Sequence, residues 1–242
     1  CSLFAYIFCT DFFYTLFSLS FTLFDMPIQF IPRFFLLMLG LILLAFGVAI
    51  SIRSHLGTSP ISSIPYVYSY FIPLSVGILT IFMHIIFILL QMLLLGKKFQ
   101  WVQWLQLPIG IIFGILIDFM LWLTQGIIVE QYIVQFLLCI VACLITAVGV
   151  CFQIKANLVF LAGEGLYQAI SQRFKINFGS CKTYGDITLV LIAVFSSWMM
   201  LHEVVGVREG TMMTALFVGT LVKKLLPYLK FLTYPKTNTT KF

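Results

Sequence analysis

Long apolar blocks alternate with short polar breaks along most of this chain. Six blocks approach the length of about 20 residues that a helix needs to cross a hydrocarbon layer of about 30 Å. A transmembrane β-barrel would show short segments of alternating polarity, whereas Phe34 to Ile50 and Val76 to Leu95 are continuously apolar. The pattern therefore predicts an all-α, polytopic transmembrane helical bundle with about six spans, at about residues 34–52, 75–95, 102–123, 132–153, 184–202 and 210–229.

Two further intervals, residues 55–72 and 157–174, fit neither a span nor a loop. Each is apolar but is interrupted by Gly, Pro or charged residues. Membranes tolerate irregular backbone of this kind where protein surrounds it. We therefore predict two short re-entrant or broken helices, the first of which has Ser59 as its N-cap and Pro60 in its first turn.

An offset of 102 residues relates these two intervals and their flanks to each other. Each half would comprise a span, a short helix and two more spans, and three crossings per half invert the second half relative to the first. We therefore predict an inverted 3+3 repeat. Positions paired at this offset include Gly47 with Gly149, Leu56 with Leu158, Gly77 with Gly179, and His84 with Asp186.

The repeat divides the chain into four predicted regions. Residues 1–25, which precede the first methionine, are a hydrophobic extension that we interpret as an extra span or an annotation artefact. The remaining regions are a first repeat at 26–124 with its re-entrant element at 55–72, a second repeat at 125–231 with its element at 157–174, and a cytoplasmic tail at 232–242.

Composition predicts that lipid surrounds the chain, and charge predicts how the chain is oriented in the membrane. With 62% hydrophobic and 9% charged residues, the chain has too little polar surface to cover a soluble globule of 242 residues. Of the 14 Lys and Arg residues, this layout places all but Arg53 and Arg208 on one face. Because Lys and Arg are enriched on the cytoplasmic side, both termini of the form that starts at Met26 are predicted to be cytoplasmic. The basic residues stand singly or in pairs beside spans, which does not favour nucleic-acid binding.

Three stretches carry a more specific pattern, namely Arg33 to Ser59, Asp186 to Val194 and Gly206 to Lys223. Their most specific parts are the Leu-Gly-Thr-Ser-Pro turn at residues 56–60 and the Gly-Val-x-Glu-Gly-Thr pattern at residues 206–211. Together they resemble the YczE/YyaS/YitT-type family of bacterial integral membrane proteins. The resemblance implies a multi-pass protein of the bacterial cytoplasmic (inner) membrane, and it implies no particular activity or substrate.

Ionisable side chains inside apolar segments are the first candidates for function, because each costs roughly 2.5 to 3.5 kcal/mol on insertion scales. We expect a polar cluster between the halves that binds a cation, a proton or a polar solute. The alternative is local satisfaction by backbone, hydroxyl groups or water. Glu164 is the strongest candidate, because glycines on both sides suit a broken helix that approaches a ligand closely. The candidates of this kind are His84, Asp118, Glu164 and Asp186.

Two turn residues, Ser59 and Arg208, complete the set of candidate site residues. Arg208 opens the last span, where the helix dipole favours an anion such as Glu209 and disfavours a cation. Arg208 is therefore expected either to pair with Glu203 or Glu209, or to bind an anionic ligand.

The sequence lacks the motifs of several enzyme classes. It contains no GxxxxGK[ST] loop, no GxGxxG after a strand, no HExxH and no Gly-x-Ser-x-Gly. Cys139 and Cys143 share a helix face without a nearby His or carboxylate, which does not indicate a metal site. We therefore predict that the chain is not an enzyme and needs no cofactor or metal.

Two functions fit these patterns. The first is a small secondary transporter or permease of unknown substrate, with a central polar site between inverted repeats. The alternative is a non-transporting assembly factor, or a substrate-binding subunit that depends on a partner ATPase. The expected partners are the lipid bilayer, an unknown small molecule or ion, and a further copy of the chain in a homo-oligomer.

Overall fold

The computed structural model describes residues 30–229, so the predicted N-terminal extension and the predicted tail lie outside the described residues. Within this range the chain forms eight α-helices and no strand, which confirms the predicted all-α class. Two 3₁₀ turns, Gly96–Lys98 and Trp101–Leu105, join the third helix to the fourth. The helices are α1 (Phe30–Arg53), α2 (Pro60–Tyr68), α3 (Val76–Leu95), α4 (Gln106–Leu123), α5 (Tyr132–Ala156), α6 (Ala162–Phe174), α7 (Phe178–Leu201) and α8 (Glu209–Leu225).

Five helices in the described range are long and apolar enough to cross a membrane, and this is the architecture of an integral membrane protein. They are α1, α3, α4 together with the turn before it, α5 and α7. The sixth predicted span, α8, has 17 residues, which is the lower limit for a span. α7 begins at Phe178, so the start predicted at 184 is wrong; the side chain of Asn177 accepts a hydrogen bond from the Gly179 N–H (2.8 Å) and begins the helix earlier.

α1 and α5 cross in close contact at the centre of the bundle. Gly40 lies against the backbone of Gly149 and Gln153. Gly47 lies against Ala142 and Thr146, which come earlier in α5. Along this contact the residue numbers increase in α1 while they decrease in α5, so the two helices are antiparallel. The missing side chains permit this approach, since a Cβ on Gly149 would lie 2.9 Å from the Gly40 carbonyl oxygen.

The antiparallel crossing relates the two halves by a pseudo-two-fold axis. The first three helices of the halves begin 102 residues apart, at positions 30 and 132, 60 and 162, and 76 and 178. α3 packs on α6 as α7 packs on α2, and α4 packs on α1 as α8 packs on α5. His55 and Asn157, which are equivalent, both end their helices with positive φ, 55° and 47°. These relations confirm the inverted repeat.

One end of the bundle, which we name the arginine face, carries Arg53 and Arg208. The Arg53 guanidinium donates a hydrogen bond to the Leu121 carbonyl oxygen (2.8 Å), and the Asp118 carboxylate accepts one from the Gly77 N–H (2.7 Å). The ends of α1 and α4 and the start of α3 therefore lie together on this face. Since α2 connects α1 to α3, it leaves this face and returns to it.

The opposite end, which we name the lysine face, carries Lys98 and Lys155. There α5 and α8 end side by side, with the Cys151 Sγ 3.9 Å from the Val222 carbonyl oxygen. At the other end of α8, the Gly210 N–H donates to the Leu56 carbonyl oxygen (2.8 Å), so α8 begins on the arginine face and α7 begins on the lysine face. α6, which connects α5 to α7, is thus re-entrant from the lysine face.

The orientation of these faces in the membrane is testable. If the lysine face is cytoplasmic, a single cysteine next to Lys98 will resist a membrane-impermeant maleimide added to intact cells, and one at Gln125 will react. Both positions are measured in a background without other cysteines, with permeabilised cells as the positive control. Labelling of the Lys98 position from outside would contradict the predicted orientation.

Candidate functional site

The two short helices begin next to each other in the middle of the bundle. The Ile61 side chain lies 3.0 Å from the position that a Cβ on Gly163 would take, and these two residues are equivalent at the offset of 102. At α2, the Ser59 hydroxyl accepts a hydrogen bond from the Ser62 N–H (3.3 Å) and Pro60 occupies the first turn, which confirms the predicted N-cap. The positive ends of two helix dipoles therefore point at the pseudo-two-fold axis.

A group of charged and phenolic side chains, here called the carboxylate cluster, joins α6 to α7. It consists of Glu164, Tyr167, Lys182 and Asp186. The Tyr167 hydroxyl donates to Asp186 Oδ1 (2.7 Å), and the Lys182 ammonium lies 3.5 Å from Asp186 Oδ2. The same ammonium lies 5.4 Å from the centre of the Tyr167 ring. Glu164 lies one turn before Tyr167 on the same face of α6.

The chemistry of the carboxylate cluster follows from its charge count. Among the described residues, the cluster holds two carboxyl groups and a single ammonium group, which pairs with Asp186, and Asp186 is 9% exposed. One carboxylate therefore lacks a counter-charge unless it carries a proton or a bound cation. The arrangement is suited to taking up and releasing one positive charge.

The equivalent positions in the first half carry no such charges. They are Ser62, Pro65, Thr80 and His84, which replace Glu164, Tyr167, Lys182 and Asp186 at the offset of 102. Lys182 and Asp186 lie in the first turns of α7, which begins on the lysine face, so the carboxylate cluster lies in the half of the bundle toward that face.

The other predicted site residues lie elsewhere. His84 is 3% exposed between α3 and α4, where it covers Gly110 and meets the Phe113 ring at 5.9 Å. The carboxylate of Asp118 caps α3. Arg208 is exposed on the arginine face, 3.3 Å from Glu209, which is one of the two pairings expected for it. Of the six candidates, the structure brings together Glu164 and Asp186.

Sequence reasoning missed Tyr167 and Lys182 as members of this site. Both carried a usable signal, because Glu164 and Tyr167 are three residues apart and Lys182 and Asp186 are four apart, so that each pair shares a helix face. Within residues 30–229, no three His, Cys, Asp or Glu side chains are grouped as metal ligands are.

A cavity on the lysine face, here called the glutamine pocket, separates α6 from the start of α4. The centre of a water-sized molecule can occupy about 20 Å³ of it, within about 400 Å³ of empty space that continues to solvent. Behind it, the Gln91 side-chain amide donates to Gln106 Oε1 and to the Ala162 carbonyl oxygen, each at 3.0 Å. The polar side chains that line the pocket are Gln103, Gln106, Gln168 and Gln172.

The equivalent place on the arginine face is closed. Gly57 and Val207 form an antiparallel bridge, and the hydrogen bond from Gly210 to Leu56 lies beside it. Gly57 has a positive φ of 99°, and the Cβ that it lacks would collide with the Thr211 hydroxyl. The two short motifs that carry the family resemblance thus pack directly on each other.

Comparisons with known proteins place the chain in one group. A family model described as a family of unknown function (DUF6198) matches residues 31–227. No curated protein and no solved structure matches the chain.

Proposed function

Since the chain belongs to DUF6198, a family of unknown function, we propose its activity from the geometry alone. The chain acts as a small secondary transporter in which the carboxylate cluster binds the coupling proton. The resemblance to YczE/YyaS/YitT-type proteins and the excess of basic residues on the lysine face support a location in the bacterial cytoplasmic membrane with that face inside.

A difference between two equivalent places carries the proposal. On the arginine face, the α1–α2 connection is bridged to the α7–α8 connection at Gly57 and Val207. On the lysine face, the equivalent connections at residues 158–160 and 102–106 are separated by the glutamine pocket. Inverted repeats can exchange such arrangements, which opens one face as the other closes. The geometry supports a transport cycle of which this structure is the state open to the lysine face.

The position of the carboxylate cluster supports a coupling role. It joins α6, which lines the glutamine pocket, to α7, which packs on the other short helix. Loading one positive charge removes the repulsion between Glu164 and Asp186 and therefore changes the energy of the α6–α7 contact. A change in that contact would alter the equilibrium between the two states, which is what ion coupling requires.

The test is proton flux into liposomes that contain only the purified protein. An encapsulated pH-sensitive dye reports proton entry after a pH gradient is imposed and a mixture of amino acids, polyols and amides is added. We expect flux from the parent protein, and we expect Glu164→Gln and Asp186→Asn to reduce it to the level of protein-free liposomes. Glu130→Gln, which removes an exposed carboxylate, is the matched control and should retain the flux.

Two outcomes would overturn the proposal. The first is a folded parent protein whose flux equals that of protein-free liposomes, which would favour an assembly factor or a binding subunit of a partner ATPase. The second is normal flux in both carboxylate variants, which would remove the carboxylate cluster from the coupling step.

A further inference from the structure

We infer that the glutamine pocket binds the transported solute and that this solute is a small, uncharged, polar molecule with amide or hydroxyl groups. This inference rests on the proposed transport function and names the class of its substrate. The argument uses the position of the pocket, the chemistry of its lining and one buried acceptor behind it.

The pocket lies where a solute in transit would have to pass. It opens on the lysine face between the start of α4 and α6, and its lining reaches Gly165. Gly165 lies two residues after Gly163, where the two short helices meet at the pseudo-two-fold axis. A molecule in the pocket therefore contacts the re-entrant helix close to the centre of the bundle.

The lining selects against charge. Amide side chains from α4, from the turn before it and from α6 face the pocket, and each offers both donors and an acceptor. Among the side chains that the structure describes, no Asp, Glu, Lys or Arg lines it. An ion would lose hydration there without gaining a counter-charge, whereas the hydrogen bonds of a neutral polar solute can be replaced by those of the glutamines.

Behind the pocket, Gln91 holds an acceptor without a partner. Its side chain is fully buried, and no hydrogen bond to its Oε1 is made by any described residue. The same Oε1 lies 2.8 Å from the position of a Cβ on Gly165, and the Gln91 amide is bonded to Gln106; both Gly165 and Gln106 line the pocket. Because a buried acceptor without a hydrogen bond is destabilising, a donor group on a bound solute would stabilise this arrangement.

Gly165 makes the space available. A Cβ at this position would lie 2.7 Å from the Gln106 Nε2 atom and 2.8 Å from the Gln91 Oε1 atom. The space of about 20 Å³ for the centres of water-sized molecules holds one or two waters, so a solute must be small or must displace α6 as it enters. Glu164 is the preceding residue on α6 and points about 100° away from Gly165, which places the coupling charge and the solute on different sides of one helix.

The experiment compares three probes of the same shape and different charge, namely acetamide, acetate and acetamidinium. Saturation-transfer NMR on the parent protein in lipid nanodiscs detects weak binding of each. We expect a signal for acetamide that excess glycerol reduces, and none above empty nanodiscs for the two ions. Gly165→Ala should abolish the acetamide signal, and Gly219→Ala, where no atom lies within 4 Å of the added Cβ, should retain it.

Several outcomes would overturn the inference. They are the absence of an acetamide signal, an equal signal for either ion, and a normal signal in Gly165→Ala. If that variant does not fold, Gln168→Leu provides the same test from the pocket wall and should lose binding. Acetamide binding without proton flux would support the solute site and contradict the transport function. Proton flux without acetamide binding would support the transport function and contradict the solute site.

Discussion

Replacing Gly149 by leucine is expected to separate α1 from α5 and to destabilise the whole bundle. A Cβ at this position would lie 2.9 Å from both the Gly40 carbonyl oxygen and the Leu44 nitrogen, and backbone atoms cannot move aside as a side chain can. Overpacking of this kind costs about 3 kcal/mol, which corresponds to a fall in melting temperature of roughly 6–12 °C for a chain of this size. Tryptophan fluorescence of the detergent-solubilised protein during heating measures the change.

The matched control is Gly219→Leu. Gly219 lies on α8 with no atom within 4 Å of the Cβ that it lacks, so its replacement should leave the melting temperature close to that of the parent. Equal melting temperatures for Gly149→Leu and the parent would contradict the close antiparallel crossing and, with it, the main contact between the two repeats.

Linking the two connections on the arginine face is expected to stop transport. The Arg208 guanidinium lies 3.4 Å from the His55 carbonyl oxygen, so cysteines at these positions are within reach of a short, reducible bifunctional thiol reagent. The link would hold the arginine face in its closed arrangement. Proton flux into liposomes should fall to the protein-free level and return when the link is reduced.

The single variants His55→Cys and Arg208→Cys, treated with the same reagent, control for modification alone and should keep their flux. Mass spectrometry of the digested protein measures the fraction that is cross-linked. Undiminished flux in fully cross-linked protein would show that the arginine face does not open during transport, and the two-state cycle proposed above would fail.

The two halves differ most in the contact between their last two helices. α3 packs closely on α4, where a Cβ on Gly114 would lie 2.6 Å from the Gly77 carbonyl oxygen, whereas α7 barely touches α8. Ser75 and Asn177, which are equivalent, cap α3 and α7 from their own chain segments. α3 also receives a cap from α4, where the Asp118 carboxylate accepts a hydrogen bond from the Gly77 N–H. α7 is thus held to its own half mainly by α6, through the carboxylate cluster.

The amino-acid sequence alone was sufficient to predict the all-α fold class, the two short helices and the repeat. Membrane spans can be predicted from the length of each apolar segment, because lipid stabilises each apolar helix separately. The N-cap at Ser59 follows from side-chain chemistry within one turn. The offset of 102 residues is visible as paired glycines and interrupted segments, and the helix starts reproduce it.

Only the tertiary structure decided which polar residues meet. The pattern of apolar residues indicates where along their segments His84, Asp118, Glu164 and Asp186 lie. It does not indicate the direction in which each side chain points or the helix that it faces. The offset pairs His84 with Asp186, yet a two-fold operation brings equivalent residues together only beside its axis, as at Ile61 and Gly163. His84 and Asp186 lie away from the axis, and each faces a helix of its own half, α4 for His84 and α6 for Asp186.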